Sequence, residues 1–358
     1  MSTVKANNYY DASGGSNAQL YGVASPPNSM GFRNRIINGD MRIAQYGTGP
    51  TSVQTSTTYA TCDRWISDAS QNSKYTIQQS SDAPTGFNYS MLATSSSAYS
   101  VTASDGFRIQ QRIEGFNTAD LSFGSASAKT VTLSFWVKSS LTGTFGGTLS
   151  NAAFNRTYPF TYTISAANTW EQKTITVAGD TTGTWVGATN GIGLIVYFSL
   201  GVGSNFAGTN NAWNSGFYIG GSTSVVGTNG ATFYITGVQL EAGTVASPFE
   251  RRDYGRELAM CQRYFERLPA GGYPAVGVRT TDWYGYIQWQ TEKRTNPTVT
   301  LNGTINIVGS VGDINGQTPT GIDQATPKTA RIYRTGSAFT SQAGTFYVPN
   351  YIDVSAEL

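Results

Sequence analysis

Apolar residues along this chain recur at every second position, in short runs separated by glycine-rich turns. In residues 131–138, Val131, Leu133, Phe135 and Val137 share one face, while Thr132, Ser134, Trp136 and Lys138 share the other. That alternation is the mark of a half-buried strand. Residues 160–164 repeat it with Phe160, Tyr162 and Ile164 inward, and residues 173–177 do so again. Residues 192–200 are apolar on both faces, which predicts a central strand, and residues 233–240 form a further one. Gly143, Gly146-Gly147, Gly179-Asp180, Asn190-Gly191, Gly220-Gly221 and Asn229-Gly230 lie between these runs and suit turns. The pattern predicts an all-β fold, an antiparallel jelly-roll or β-sandwich. No fixed-length repeat points to a propeller or β-helix.

One stretch breaks the alternation. Leu258, Cys261, Phe265 and Leu268 fall on one stripe at helical spacing, ended by Pro269 and Gly271-Gly272. This predicts a connecting helix within 254–269, too short to be stable without tertiary packing. Beyond it, short strand candidates at 284–290, 298–301, 304–308, 331–333, 345–348 and 352–354 predict a small C-terminal β domain over 270–358. The sandwich then occupies 31–253. Residues 1–30 are polar, lack a sustained apolar period and end near Pro26-Pro27, so they are expected to form an extended arm that orders on a partner.

Composition narrows the function. Aromatic residues are abundant, with 21 Tyr, 17 Phe and 7 Trp, whereas charged residues make up 12% of the 358 positions. About 25% is usual for the latter. Disorder requires few aromatics and high net charge, so this chain is expected to fold. Its formal charge of +2 and a longest basic cluster of Arg251-Arg252 argue against nucleic acid as a partner. No apolar run reaches the roughly 18 residues of a membrane span, so no membrane insertion is expected. The N-terminal residues lack the apolar centre of a signal peptide, which predicts synthesis in the cytoplasm. Cys62 and Cys261 lie far apart and read as ordinary small buried residues, with a pairing between them left open. Histidine is absent, which removes Ser-His-Asp and Cys-His catalysis and His-ligated metals. No cofactor is expected.

The segment Asn34-Arg35-Ile36-Ile37-Asn38-Gly39-Asp40-Met41, followed by Asp63-Arg64-Trp65, resembles a motif of tail-fibre and related structural proteins of tailed bacteriophages, marine ones in particular. Ser134-Phe135-Trp136-Val137-Lys138, Tyr162-Thr163-Ile164, Ile235-Thr236-Gly237-Val238-Gln239-Leu240-Glu241, Pro248-Phe249-Glu250 and the stretch holding Cys261-Gln262-Arg263-Tyr264 extend the resemblance in order. It covers about residues 31–268. It implies a place on the virion surface, a sandwich similar to carbohydrate-binding modules, and assembly as a homotrimer. In such an assembly the arm would meet other virion proteins and the β domains would meet host surface glycan. The competing reading is a purely architectural head-decoration or tail protein, and a glycan depolymerase ranks last. Hydrolysis needs two carboxyls about 5–9.5 Å apart, and nothing in the spacing selects a pair.

Sugar rings stack on flat aromatic side chains, so aromatic residues outside the strand cores are the candidate ligand contacts. Trp136 qualifies by its place on the polar face of its strand. Trp185, Trp213, Phe217 and Tyr218 lie in Gly- and Asn-rich loops, where binding function concentrates. Trp283, Tyr284, Tyr286 and Trp289 cluster in the C-terminal part, where the other reading is a small core. Asp63-Arg64-Trp65 reads as structural, an Asp–Arg pair beside a buried Trp. Glu241, Glu250 and Asp253 are oxygen ligands of the kind calcium takes, but they lack a dense Asp/Asn/Gly loop, so no metal is expected.

Overall fold

The computed structural model describes residues 32–358 apart from 57, 280–281, 310–313, 336–342 and 349, together with residues 19–20 and 23–24. Those last four form an antiparallel ribbon, β1 (Gln19–Leu20) with β2 (Val23–Ala24). The rest of the arm expected over 1–30 lies outside the described residues.

The sandwich follows. Its strands are β3 (Thr51–Ser52), β4 (Thr58–Tyr59), β5 (Ile66–Ala69), β6 (Tyr75–Ser80), β7 (Ser90–Ser95) and β8 (Gly106–Glu114). The chain continues through β9 (Val131–Ser139), β10 (Gly143–Ser150), β11 (Thr157–Ile164), β12 (Glu171–Val177), β13 (Ile192–Val202) and β14 (Thr232–Ala242). Two six-stranded antiparallel sheets result, in the orders β11-β10-β13-β8-β5-β4 and β12-β9-β14-β7-β6-β3. From β8 onward the chain passes back and forth between the sheets, a jelly-roll path. The inward residues match the period-two reading: Leu133, Phe135, Val137, Phe160, Phe198, Phe233 and Ile235 are all fully buried in one core. β13, apolar on both faces, runs inside its sheet between β10 and β8.

The helix is shorter than its pattern suggested. α1 spans Tyr254–Gln262, with Asp253 as its N-cap accepting from the Arg256 N–H at 2.9 Å. Residues 265–268, expected to be helical, form strand β15 (Phe265–Leu268) instead. Residues i and i+3 share a helix face but point to opposite sides of a strand. The structure uses that second option. Phe265 stacks on Tyr46 at 3.6 Å, while Leu268 enters the core of the C-terminal strands. Pairing with the final strand, and a bidentate Arg267–Asp353 contact at 2.7 and 2.9 Å across it, outweighs local propensity.

The remaining strands are β16 (Gly271–Arg279), β17 (Asp282–Gln288), β18 (Thr298–Asn302), β19 (Ile305–Gly309) and β20 (Ile314–Gln317). After them come β21 (Gly321–Asp323), β22 (Thr329–Thr335), β23 (Ala343–Val348) and β24 (Tyr351–Ser355). They build a three-stranded sheet, β15-β24-β18, and a seven-stranded one, β20-β19-β23-β16-β17-β22-β21. Between these lies a second core containing Trp283, Ile287, Trp289, Ile332 and Phe346.

The segment from Asn34 to Trp65 ties the two cores together. The Asn34 side chain donates to the Val238 carbonyl at 3.1 Å and accepts from the Ile36 and Leu240 N–H groups. Asn38, at φ 56°, binds the Ile43 and Asp63 backbones in the same way. Trp65 is buried and its indole N–H donates to the Asn38 carbonyl at 3.0 Å. The expected Asp63–Arg64 pairing does not form. Asp63 accepts from the Gln45 N–H at 2.7 Å, whereas Arg64 pairs with Glu357 and lies 3.6 Å over the Tyr264 ring. Both lie in the turn before β5, and the left-handed backbone of Arg64, at φ 71°, turns the two side chains to different partners. Cys62 and Cys261 are fully buried, as expected, and both are free.

Candidate functional site

The two outer faces of the sandwich differ in what covers them. Over the β8/β13 face lies the chain between β13 and β14. There Arg108 donates from Nε and Nη2 to one oxygen, Oδ1, of Asp68 (3.0 and 2.8 Å) and sits among the rings of Tyr197, Phe206 and Phe217. Phe217 packs edge-on against Phe154, Tyr197 and Phe206, and Tyr197 is buried. Tyr218 packs so closely on Gly208 that a Cβ there would lie 2.6 Å from it. Phe217 and Tyr218 therefore serve as part of a roof. Beside the roof runs an open groove of about 340 Å³, lined by Thr144, Thr161, Ser204, Asn210, Ser222 and several glycines, without an aromatic ring.

Trp185 and Trp213 come together at one end of the core. They meet edge-on at 5.5 Å, and both contact Phe123. Their indole N–H groups turn inward, Trp185 to Asp180 at 3.2 Å and Trp213 to the Ala178 carbonyl at 2.8 Å. Asp180 also takes a bidentate contact from Arg156 at 2.7 and 2.6 Å, and these hydrogen bonds outweigh burial to hold its carboxyl below the usual range. The cavity beside Trp185 measures about 50 Å³. At roughly 10–15 Å³ per water centre it takes a few waters and no sugar ring. The pair plugs the core.

The outer face of β12-β9-β14 is exposed along β12, at Gln172, Thr174 and Thr176, whereas Thr132, Ser134, Thr236, Gln239 and Glu241 are buried. Trp136 stands on it half-buried, opposite exposed Gln172 on β12 and buried Thr236 on β14. Its neighbour across the β14 bulge is Gly237, at φ 60°, where a Cβ would strike both Phe87 (2.7 Å) and Trp136 (3.1 Å). Glycine is required there for the rings to approach. Two residues along β9, the Lys138 ammonium lies 4.3 Å from the Tyr234 ring centre and 5.3 Å from that of Trp170. It also bonds Asp82, which accepts the Trp170 indole N–H at 3.1 Å. The Lys138 hydrogen bond, reinforced by that of Trp170, keeps the Asp82 carboxyl below its ordinary pKa against burial. The face thus presents two indoles, a phenol, one compensated charge pair, and the exposed side chains of Gln172 and Thr174. Trp170 and Tyr234 were not singled out from sequence. Tyr234 had a signal, because the phase that turns Phe233 and Ile235 inward turns it outward.

In the C-terminal part the four aromatics divide. Trp283 and Trp289 are core residues, 2% and 4% exposed, and the Trp289 indole donates to the Pro327 carbonyl at 2.6 Å. Both pack in the small core that was the other reading of this cluster. Tyr284 and Tyr286 lie on the opposite face of β17, half-buried and exposed respectively. The three acidic candidates for calcium have separate tasks. Glu241 accepts from Ser247, Glu250 from the Asn34 N–H, and Asp253 caps α1. Among the described residues no group of His, Cys, Asp and Glu is arranged to hold a metal.

No family model and no curated protein matches the chain. Among solved structures it is similar to the enzymatically active domain of bacteriophage CBA120 tailspike protein 4, at 13% identity and a TM-score of 0.33 over 59% of this chain. The chain spans 21% of that tailspike chain's length. It is also similar to TmCBM61 in complex with β-1,4-galactotriose, at 11% identity and a TM-score of 0.31, covering 59% of this chain and 99% of that one. A further similarity is to the family 11 carbohydrate-binding module of a Clostridium thermocellum cellulosomal cellulase, at 12% identity and a TM-score of 0.27, covering 56% and 98%.

Proposed function

We propose that this chain is a fibre-like structural protein of a tailed-bacteriophage virion whose sandwich binds a neutral host-surface glycan on the face carrying Trp136, Trp170 and Tyr234. The observation that supports the reading is the strip where half-buried Trp136, Trp170 and Tyr234 adjoin the exposed Gln172 and Thr174 of β12. Flat rings there stand on a rigid sheet beside amide and hydroxyl groups, with Lys138 neutralised by Asp82. Aromatic rings take the apolar side of a sugar, and Gln172 and Thr174 supply hydrogen bonds to its hydroxyls. The sequence motifs from Asn34 to Tyr264 support the virion assignment. In this reading the arm over 1–30 meets other virion proteins, and three copies assemble into one surface-displayed fibre, so that weak single sites gain strength through avidity.

Binding without catalysis is the reading supported by how the carboxylates are used. Glu114, Asp180, Glu257 and Glu266 are buried and engaged with Arg263, Arg156, Arg252 and Lys293. The test is affinity electrophoresis of the full chain in gels containing neutral polysaccharides, alongside binding to intact host cells. Trp136→Ala and Trp170→Ala are each expected to weaken retardation tenfold or more while leaving the thermal midpoint within a few degrees. Retardation equal to that of the unaltered protein in both variants refutes the assignment of this face.

A further inference from the structure

On the seven-stranded C-terminal sheet, β17 and β22 turn aromatic side chains away from the second core. Tyr284 and Tyr286 point outward from β17 because Trp283 and Ile287 point inward. On β22, Tyr333 stands directly opposite Tyr284, and Arg331 opposite Tyr286. Directly opposed side chains on a sheet face are about 5 Å apart at Cβ. The Arg331 guanidinium lies 4.7 Å from the Tyr284 ring centre and 5.8 Å from that of Tyr333. It is held there by Asp323 on β21, through two hydrogen bonds of 2.7 and 2.6 Å. Gly321 completes the arrangement. A Cβ at that position would sit 2.8 Å from the Tyr333 hydroxyl, so its absence lets the phenol lie down along β21. Tyr286 remains 52% exposed.

We infer that this face is a second carbohydrate-binding surface, with Tyr284, Tyr286 and Tyr333 as the platform and the Arg331–Asp323 pair as its hydrogen-bonding centre. The inference rests on the reading of the chain as a glycan binder, and it adds a site at the opposite end of the molecule's sequence. Chemistry selects the ligand. Asp323 cancels Arg331, and Asp282 on the same face of β17 adds a carboxylate, which disfavours both acidic polysaccharide and nucleic acid. A fixed guanidinium and carboxylate side by side offer donors and acceptors to neighbouring sugar hydroxyls. Tyr and Arg are also enriched at protein interfaces, and sedimentation separates that occupant from a sugar. Three phenols preset on a sheet lose little conformational freedom on binding, which suits a weak, repeated ligand such as a neutral polysaccharide.

The experiment uses the full chain in affinity electrophoresis against galactan, xylan, mannan and mixed-linkage glucan, with dextran sulfate as the anionic control. Three variants are compared: Trp136→Ala, the double Tyr284→Ala/Tyr286→Ala, and Arg331→Leu. The expected result is a tenfold or greater loss of retardation in the tyrosine double variant and in Arg331→Leu on at least one neutral polysaccharide, with circular dichroism unchanged. Loss in Trp136→Ala alone overturns this inference and leaves the sandwich reading standing. Loss in the C-terminal variants alone supports it and removes the sandwich reading. Retardation by dextran sulfate only, or by none of the polysaccharides, overturns it. A change in sedimentation of the tyrosine variant without a change in retardation assigns the face to contact between copies of the chain and also overturns it.

Discussion

The interior of the sandwich and the junction around α1 are both buried, yet they are built from opposite materials. Between the two six-stranded sheets the facing residues are Phe, Leu, Ile and Val, and non-directional burial at about 25 cal/mol per Å² holds them. At the junction charged pairs surround a small apolar cluster of Ile37, Ile43, Cys261 and Tyr264. Arg64 pairs with Glu357, Arg252 with Glu257, Arg263 with Glu114 and Lys293 with Glu266. Tyr59 and Arg112 reach the Leu358 carbonyl at 3.0 and 2.6 Å, and Arg294 reaches those of Ala356 and Glu357 at 2.6 and 2.8 Å. Buried ion pairs contribute little net stability, because removing each ion from water costs several kcal/mol. They do demand one geometry. The difference teaches that apolar burial makes the large unit fold, while directional contacts fix how the smaller one is seated on it.

If that is right, breaking one partner at the junction has the largest effect. Glu266→Ala leaves the Lys293 ammonium, whose side chain is 0% exposed, without its carboxylate. The expected loss is about 3–5 kcal/mol, read from urea unfolding followed by amide exchange in β15 and β24. Replacing both partners, as Glu266→Leu with Lys293→Met, should recover most of that loss. Equal destabilisation by the single and double variants would show that the site depends on apolar packing, and the contrast between the two regions would collapse.

The next effect is in pH. Burial pushes the Asp63 carboxyl up to about 7 against the hydrogen bonds from Gln45, and burial also raises Glu357 against the pull of Arg64. An unfolded Asp loses its proton near 4. Between about 4 and 7 the folded chain therefore holds protons that the unfolded chain has released, and stability falls as pH rises through that window. Asp82 and Asp180, held low by Lys138 and Arg156, act the other way and below it, losing their contribution as pH falls under 4. The urea midpoint is expected to be higher at pH 5 than at pH 7.5, and Asp63→Asn should flatten much of that slope. A midpoint that rises with pH across this range contradicts the assignment.

Much of this contrast was legible in the sequence and some was not, for identifiable reasons. Strands of one fixed phase, such as β9 and β11, could be read to the individual residue, so Trp136 was placed outward and Phe160 inward. Where a run was short the phase was ambiguous. Trp283 and Tyr284 are neighbours with opposite fates, and only the burial of Ile287 four residues beyond Trp283 decides between them. Trp289 follows the end of its strand, where alternation gives no guide. The spacing of Phe265 and Leu268 fits a helix stripe as well as a strand's two faces. The charged junction was invisible because its pairs join residues far apart, Arg64 with Glu357 above all. Trp170 had no signal, since it precedes β12 and is positioned by Asp82 from another loop.

A smaller effect tests how α1 is attached. Asp253→Ala removes the acceptor for the Arg256 N–H and should cost about 1 kcal/mol. Because α1 carries Cys261 into the junction cluster with Ile37, Ile43 and Tyr264, the loss should appear as faster exchange there and leave β9 and β13 protected. Uniform loss of protection across the sandwich would mean that junction and interior unfold as one unit.

The smallest effect is the most informative about the C-terminal face. Tyr286 is exposed and its ring is held by no aromatic partner among the described contacts, whereas Trp283, on the other side of the same strand, packs edge-on against Phe346 at 5.3 Å. Surface substitutions away from packed features stay within about 0.5 kcal/mol. Tyr286→Ala is therefore expected to leave the urea midpoint nearly unchanged. A loss well above 1 kcal/mol would show that the phenol packs on something the chain itself supplies, and that the face is structural. Near-zero cost would mean that a large aromatic ring stands in water without stabilising the fold, which is the condition a ligand platform has to meet.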